Sequence, residues 1–122
     1  MELTEQKKGS ITIIGIAGRL DTTNYGLLDK KLITLIEEGE NKIIFDCSKM
    51  DYISSSGLRI FLMALKKIKL SAGSFVLCSL QETIREIFEI AGFTTIFEIY
   101  KTKEEALKAI GNSISAIKVK NI

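Results

Sequence analysis

Strand-like and helix-like hydrophobic patterns alternate along this chain almost without interruption between residues 10 and 110. Short apolar runs rich in β-forming residues, such as KIIFDC at residues 42–47, predict strands that are buried on both faces. Between these runs, apolar residues recur at the three- and four-residue spacing of amphipathic helices. This alternation is typical of strand–helix–strand units around a parallel sheet, so the predicted fold class is α/β.

The strand pattern predicts a mixed, mostly parallel open sheet of about five strands, accompanied by about four helices. The first strand, at roughly residues 2–5, is expected to turn at residues 7–9. It would then pair antiparallel with a second strand at residues 11–17, which we expect to end at Gly18. A single edge strand would therefore run against the others.

Polar residues that suit helix N-caps precede each of the four helical patterns. They are Asp21, Thr22 or Thr23 for the first helix, the serines from Ser54 onward for the second, and capping boxes at residues 79–82 and 102–105 for the third and fourth. The last helix is expected to end before Gly111. Residues 1–111 are therefore predicted to form one domain, and residues 112–122 a C-terminal tail.

Composition narrows the class of protein. The 122 residues suit one domain, and 46% apolar with 26% charged residues is typical of a soluble globular chain. No apolar run approaches the roughly 20 residues of a membrane span, and the N-terminus lacks a signal peptide's apolar region. A net charge of +2 is too small to indicate nucleic-acid binding. We expect a cytoplasmic protein that contains no membrane span.

The chain contains no histidine. Ser-His-Asp and Cys-His catalysis both need an imidazole to move the proton, so neither mechanism is available. Cys47 and Cys78 are far apart in apolar strand-like runs, which predicts buried free thiols rather than a metal site. There is also no Gly-rich phosphate loop of the kind that nucleotide hydrolases use. The sequence therefore predicts a non-enzymatic protein with no catalytic residues, metal or cofactor of its own.

The most informative segment is DYISSSGLR at residues 51–59, between a predicted strand and the helix that follows. In open α/β sheets, ligands and chemistry collect at such junctions. The predicted first turn holds no acid, and it contains Gly57 and the cation of Arg59, so it should attract an anion. A serine there is either an N-cap or a phosphorylation site. A third interpretation is a nucleophilic serine, but no adjacent general base is available to activate its hydroxyl.

Residues 54–58 (SSSGL) resemble the Asp-Ser-Ser/Thr-Gly-Leu phosphorylation motif of STAS-domain anti-sigma factor antagonists. The resemblance extends to residues 18–21 (GRLD), which are similar to the family's Gly-x-Leu-Asp segment. It also includes residues 87–93 (IFEIAGF), which are similar to a family helix ending in a small residue, Gly and an apolar residue. These three motifs occur in the family order over about 100 of the 122 residues. The resemblance implies a single STAS-like domain.

The resemblance also implies site residues. The family's phosphorylated serine falls on Ser55, and Ser56 takes the adjacent Ser/Thr position. The aspartate that usually precedes them is replaced by Ser54, which leaves Ser54 as an alternative phosphorylation site. The partner-binding residues implied around this position are Asp21, Ser54, Ser56, Gly57 and Arg59, with a structural cap as the alternative role of Asp21.

The implied function is partner switching. In this scheme the unphosphorylated domain binds an anti-sigma factor with serine kinase activity, phosphorylation releases it, and a metal-dependent serine phosphatase restores binding. ATP and magnesium would belong to the kinase, so the chain itself would need no cofactor. The alternative is a STAS scaffold subunit of a lipid transporter or another signalling assembly, which would dock through the same helix without phosphorylation.

Overall fold

The computed structural model describes the backbone of residues 1–120 and the side chains of residues 1–111. Within these residues there are five strands, β1 (Glu2–Lys8), β2 (Ile11–Leu20), β3 (Lys42–Ile53), β4 (Ser74–Cys78) and β5 (Glu98–Tyr100). Four α-helices accompany them, α1 (Tyr25–Glu37), α2 (Ser55–Leu70), α3 (Glu82–Ile90) and α4 (Lys103–Lys120), with a short 3₁₀ turn at Phe93–Thr95.

The five strands form one sheet in which their spatial order is their order along the chain. Strand β1 is antiparallel to β2, and the pairs β2–β3, β3–β4 and β4–β5 are all parallel. The expected α/β fold, with a mixed and mostly parallel open sheet and one antiparallel edge strand, is confirmed. The first strand is longer than predicted, because it extends to Lys8 before the chain turns at Gly9.

The two faces of the sheet are covered by different helices. Alternate residues such as Ile14 and Phe45 pack into the main core with α1, α2 and α3. Their neighbours Ile13 and Ile44 point to the other face, where they pack with Ala106 of α4. Because both faces are covered, the central strands need the near-continuous apolar runs seen in the sequence.

Helix α2 is anchored by the Phe61 ring, which is fully buried at the centre of an aromatic cluster. The centroid of this ring lies 4.6 Å from that of Phe45 and 6.2 Å from that of Phe75. It lies 6.3 Å from the Phe88 centroid and 6.4 Å from the Phe97 centroid. One side chain of α2 thus contacts two strands, α3 and the segment before β5, which sets the position of the helix.

The prediction that the second strand ends at Gly18 is wrong, because β2 continues to Leu20. Gly18 has a φ of +97°, and the pairing with β3 shifts register between Gly18 and Arg19. Gly18 pairs with Met50 and Arg19 with Tyr52, so Asp51 is the extra residue of a β-bulge that lies on β3 opposite Gly18. The extension brings Leu20 opposite Ile53 at the end of β3.

Two predicted helix starts also need correction. None of Asp21, Thr22 and Thr23 is the cap of α1, which is preceded directly by Asn24. The capping box predicted at residues 79–82 is absent as well. Ser79 instead has a φ of +61° and donates its N–H to the Tyr100 carbonyl, and Gln81 precedes α3. At residues 102–105 the threonine half of the box forms, since the Glu105 N–H donates to Thr102 Oγ1 at 3.1 Å, but the Glu105 carboxylate accepts the Lys101 N–H at 3.3 Å instead of the Thr102 N–H.

The end of α4 differs from the prediction too, because this helix passes through Gly111 and continues to Lys120. A glycine inside a helix costs only about 1 kcal/mol relative to alanine, so it need not end the helix. The predicted domain boundary at residue 111 stays a prediction. The side chains of the expected tail, residues 112–122, lie outside the described part of the chain.

Candidate functional site

The serine cluster stands where β3 passes into α2, and Ser54 is the helix cap. Its Oγ accepts the Gly57 N–H at 3.2 Å, and its carbonyl accepts the Leu58 N–H at 3.0 Å. Its own N–H donates to the Leu20 carbonyl at 2.9 Å, which ties the start of α2 to the end of β2. The N-cap role that the sequence left open among three serines therefore belongs to Ser54.

Ser55 and Ser56, by contrast, occupy the first two helical positions, and neither of them caps the helix. Ser55 is exposed and Ser56 is half-buried. Neither hydroxyl takes part in a hydrogen bond with another residue of the described part of the chain. Ser55 is thus the serine of the cluster whose hydroxyl faces solvent and can be reached by a modifying enzyme.

Replacing Ser54 with alanine is expected to lower the free energy of unfolding by about 1 kcal/mol, the usual cost of losing a serine N-cap. Ser55→Ala is the matched control, because it removes the same hydroxyl one position later and should change stability by less than about 0.5 kcal/mol. Urea denaturation of the two variants measures the difference. Equal losses would show that Ser54 is not the cap.

Gly57 packs more closely against the sheet than a larger residue could. A Cβ atom at this position would lie 2.9 Å from Cγ of Leu20 and 2.9 Å from Cγ1 of Ile53. Real Cβ atoms do not approach other carbons this closely, so glycine lets the first turn of α2 rest directly on the ends of β2 and β3. The glycine of the motif therefore has a packing role.

Gly57→Ala is expected to destabilise the protein by about 1–3 kcal/mol, because the added methyl group overpacks a closed contact. Gly26→Ala is the matched control in α1, where a Cβ would meet nothing within 4 Å. That variant should be neutral or stabilising by up to about 1 kcal/mol, since alanine favours helix over glycine. Thermal melts of both variants check the prediction. A neutral Gly57→Ala would contradict the close packing.

The start of α2 has no acidic residue that would offset the positive end of its helix dipole. Helix α1 shares this property, whereas α3 begins with Glu82 and α4 carries Glu104 and Glu105 in its first turn. The exposed Arg59 adds a cation one turn along α2 from Ser55. A negative charge near Ser55 is therefore favoured by the helix dipole and is not repelled by residues of its own turn.

Asp21 follows β2 directly, and the Leu20–Ser54 hydrogen bond brings its loop beside the start of α2. Its carboxylate accepts the Thr23 hydroxyl at 2.6 Å and the Thr23 N–H at 2.9 Å. These hydrogen bonds, with a weaker contribution from Arg19, lower the pKa of Asp21, so the group stays ionised at neutral pH. Asp21 is therefore a fixed negative charge beside the serines.

The structure thus places Asp21, Ser54, Ser56 and Gly57 around Ser55, and it places Arg59 on the exposed side of α2. Sequence reasoning missed two further residues in this region. The guanidinium of Arg19 lies 4.0 Å from the centroid of the Tyr52 ring, and its Nε lies 3.5 Å from Asp21 Oδ2. Both residues stand inside motifs that were recognised, but their pairing depends on the bulge.

The described residues hold no group of histidine, cysteine, aspartate and glutamate side chains arranged to bind a metal. Cys47 and Cys78 are buried free thiols, as expected, and they point to opposite faces of the sheet. Burial raises the pKa of Cys78 to about 11 and raises the pKa of Cys47 well above its usual value, so neither is a ready nucleophile. In the part of the chain that the structure covers, no helix is both long and apolar enough to cross a bilayer.

Comparisons with known proteins agree with this geometry. The model of the STAS domain family matches residues 2–106. BtrV of Bordetella bronchiseptica, named as a candidate anti-sigma factor antagonist, is 34% identical over 93% of this chain and 98% of its own. The anti-sigma-B factor antagonist of Bacillus subtilis is 34% identical over 75% of this chain and 83% of its own. The crystal structure of a candidate antagonist from Thermotoga maritima superposes with a TM-score of 0.85 at 26% identity, covering 88% of this chain and 93% of that one.

Proposed function

Because this chain belongs to the STAS domain family, we propose that it is an anti-sigma factor antagonist, a regulatory binding protein rather than an enzyme. Two relatives that are each 34% identical to it carry that name. The proposed partners act in the cytoplasm, which is where we place the chain. The chain would need no cofactor, and it would act by contact with another protein rather than with nucleic acid.

The finer proposal is that Ser55 switches this binding. With a free Ser55 hydroxyl, the domain binds an anti-sigma factor that has serine kinase activity. Phosphorylation of Ser55 by that kinase releases the domain, and a metal-dependent serine phosphatase restores binding. The observation that carries the proposal is the division of roles among the serines: Ser54 caps the helix, while Ser55 presents an exposed hydroxyl at an electropositive helix start.

A phosphate at this position would change the surface far more than the fold. Phosphoserine adds about −1.5 to −2 charge at pH 7, which nearly cancels the net charge of +2 at a single point. The helix dipole accommodates the new anion, so the domain should stay folded. A partner that covers Ser55 must instead meet an unpaired dianion in the contact, and this mismatch weakens binding.

The proposed contact surface consists of residues that surround Ser55. Asp21 lies in the loop beside it, Ser56 and Gly57 form the rest of the first turn, and Arg59 extends the surface along α2. Ser54 contributes mainly by holding the turn in place.

The test is reconstitution with an anti-sigma factor kinase, sought among the products of genes near the one encoding this chain. We expect the unphosphorylated chain to displace the sigma factor from the kinase, and to lose this capacity after incubation with ATP. Adding a metal-dependent serine phosphatase should restore displacement. Failure to bind any such kinase, together with stable binding to a transporter assembly, would favour the scaffold function instead.

A further inference from the structure

A stacked pair of exposed side chains, Arg19 and Tyr52, lies at the carboxyl ends of β2 and β3. The two residues are directly paired in the ladder between these strands, and the guanidinium lies 4.0 Å from the ring centroid. The Arg19 side chain is 61% exposed and Tyr52 is 37% exposed. Building on the proposed function, we propose that this stack anchors a carboxylate side chain of the anti-sigma factor.

The stack is held in place before any partner arrives. The Nε of Arg19 lies 3.5 Å from the Asp21 carboxylate, which is itself fixed by two hydrogen bonds from Thr23. The amide of Asn24 donates to the Arg19 carbonyl at 2.8 Å, and its Oδ1 accepts the Asp21 N–H at 2.9 Å. An arginine that is already oriented loses less conformational entropy on binding than a mobile one.

The hydrogen-bonding capacity of Arg19 is only partly used. Its ion pair with Asp21 is made through Nε, and the terminal nitrogens donate no hydrogen bond to the residues that the structure describes. Two terminal N–H groups in one plane match the two oxygens of a carboxylate, which is the geometry of a bidentate contact. The partner chemistry that fits is therefore an aspartate or glutamate.

Cation–π pairs occur about once per 70–80 residues in proteins generally, so the stack by itself is weak evidence for a binding role. The stronger evidence is that the stack lies close to Ser55. Tyr52 precedes Ser55 by three residues. The hydrogen bond from the Ser54 N–H to the Leu20 carbonyl holds the loop after Arg19 against the same helix start. A partner that covers Ser55 would thus meet the stack in the same contact, and tyrosine and arginine are the residues that most often dominate such contacts.

The experiment measures the dissociation constant of the full chain with the cognate kinase. Arg19→Ala and Tyr52→Ala should each raise it tenfold or more. Arg19→Lys should weaken binding nearly as much as Arg19→Ala, because lysine keeps the charge but lacks the bidentate, stacking group. Tyr52→Phe keeps the ring and should bind like the original chain. Melting temperatures of the variants show whether the fold is intact.

Ile96→Ala is the control, since Ile96 is 45% exposed but lies beyond the amino end of β5, on the opposite side of the domain from Ser55. It should leave affinity unchanged. Full binding by Arg19→Lys would show that only charge matters and would overturn the anchor. Unchanged binding by Arg19→Ala and Tyr52→Ala would overturn it as well. If the original chain binds no kinase, the proposed function is rejected, and the proposed anchor is rejected with it. If the original chain binds and the variants bind equally well, only the anchor is rejected.

Discussion

Ser55→Asp is expected to bind the kinase partner at least a hundredfold more weakly than the original chain, while melting at nearly the same temperature. Charge mismatch in an interface costs several kcal/mol, and each 1.4 kcal/mol corresponds to about tenfold in affinity. The fold should not suffer, because Ser55 is exposed and its turn contains no acid. A negative charge at a helix start is mildly stabilising.

Two matched variants separate charge from shape. Ser55→Asn has the size of the aspartate variant without its charge, and Ser55→Ala removes only the hydroxyl. Both should bind far better than Ser55→Asp, and the alanine variant should bind like the original chain but resist phosphorylation. Isothermal titration with the kinase measures all three. Equal affinity of Ser55→Asp and Ser55→Asn would mean that charge at this position does not control binding.

Phe61→Ala is expected to cause the largest loss of stability among the substitutions considered, about 3–5 kcal/mol. The ring is fully buried and lies within 6.4 Å, centroid to centroid, of four other phenylalanine rings. Removing it would leave a cavity that rigid neighbours on two strands cannot fill, and it would loosen the helix that carries Ser55.

The control for this core prediction is Phe61→Leu, which keeps most of the apolar volume and should therefore cost clearly less than Phe61→Ala. Chemical denaturation monitored by circular dichroism compares the two variants with the original chain. A loss below about 0.5 kcal/mol for Phe61→Ala, the range of an ordinary surface change, would contradict the central packing role of this ring.

Hydrophobic periodicity was sufficient to predict the order and type of the main elements. The run at residues 42–47 lies within a strand buried on both faces, and Phe61 and Leu65 lie on the buried face of α2, as their spacing indicated. The apolar strand run and the helical spacing both result from burial, because buried positions are occupied by apolar residues. The ends of elements depend on single hydrogen bonds and were predicted less well.

Gly18 shows why the end of a strand is difficult to predict from the sequence. A glycine with positive φ can end a strand or lie within it opposite a bulge of the neighbouring strand, and the local sequence is compatible with both outcomes. The choice is made by pairing with β3, which resumes with Arg19 opposite Tyr52 after the shift. Sequence reasoning that stopped the strand at Gly18 could therefore not bring Arg19 and Tyr52 together.

The three serines likewise show what local sequence cannot decide and long-range contacts can. Chemically, Ser54, Ser55 and Ser56 are equally good caps, so local preference could not assign the role. The hydrogen bond from Ser54 to the Leu20 carbonyl, far away in sequence, settles which residue ends the strand and begins the helix. The resemblance to the family motif was needed to favour Ser55 as the modified residue, and that assignment remains a prediction.

The most direct test of the account is to map the phosphate after the purified chain is incubated with its cognate kinase and ATP. Fragmentation mass spectrometry distinguishes three adjacent serines, and Ser55→Ala and Ser56→Ala provide the matched substrates. We expect one phosphate per chain on Ser55, none on the Ser55→Ala variant, and normal labelling of Ser56→Ala. Phosphate on Ser54, or full labelling of Ser55→Ala, would contradict the assignment of Ser55 as the switch.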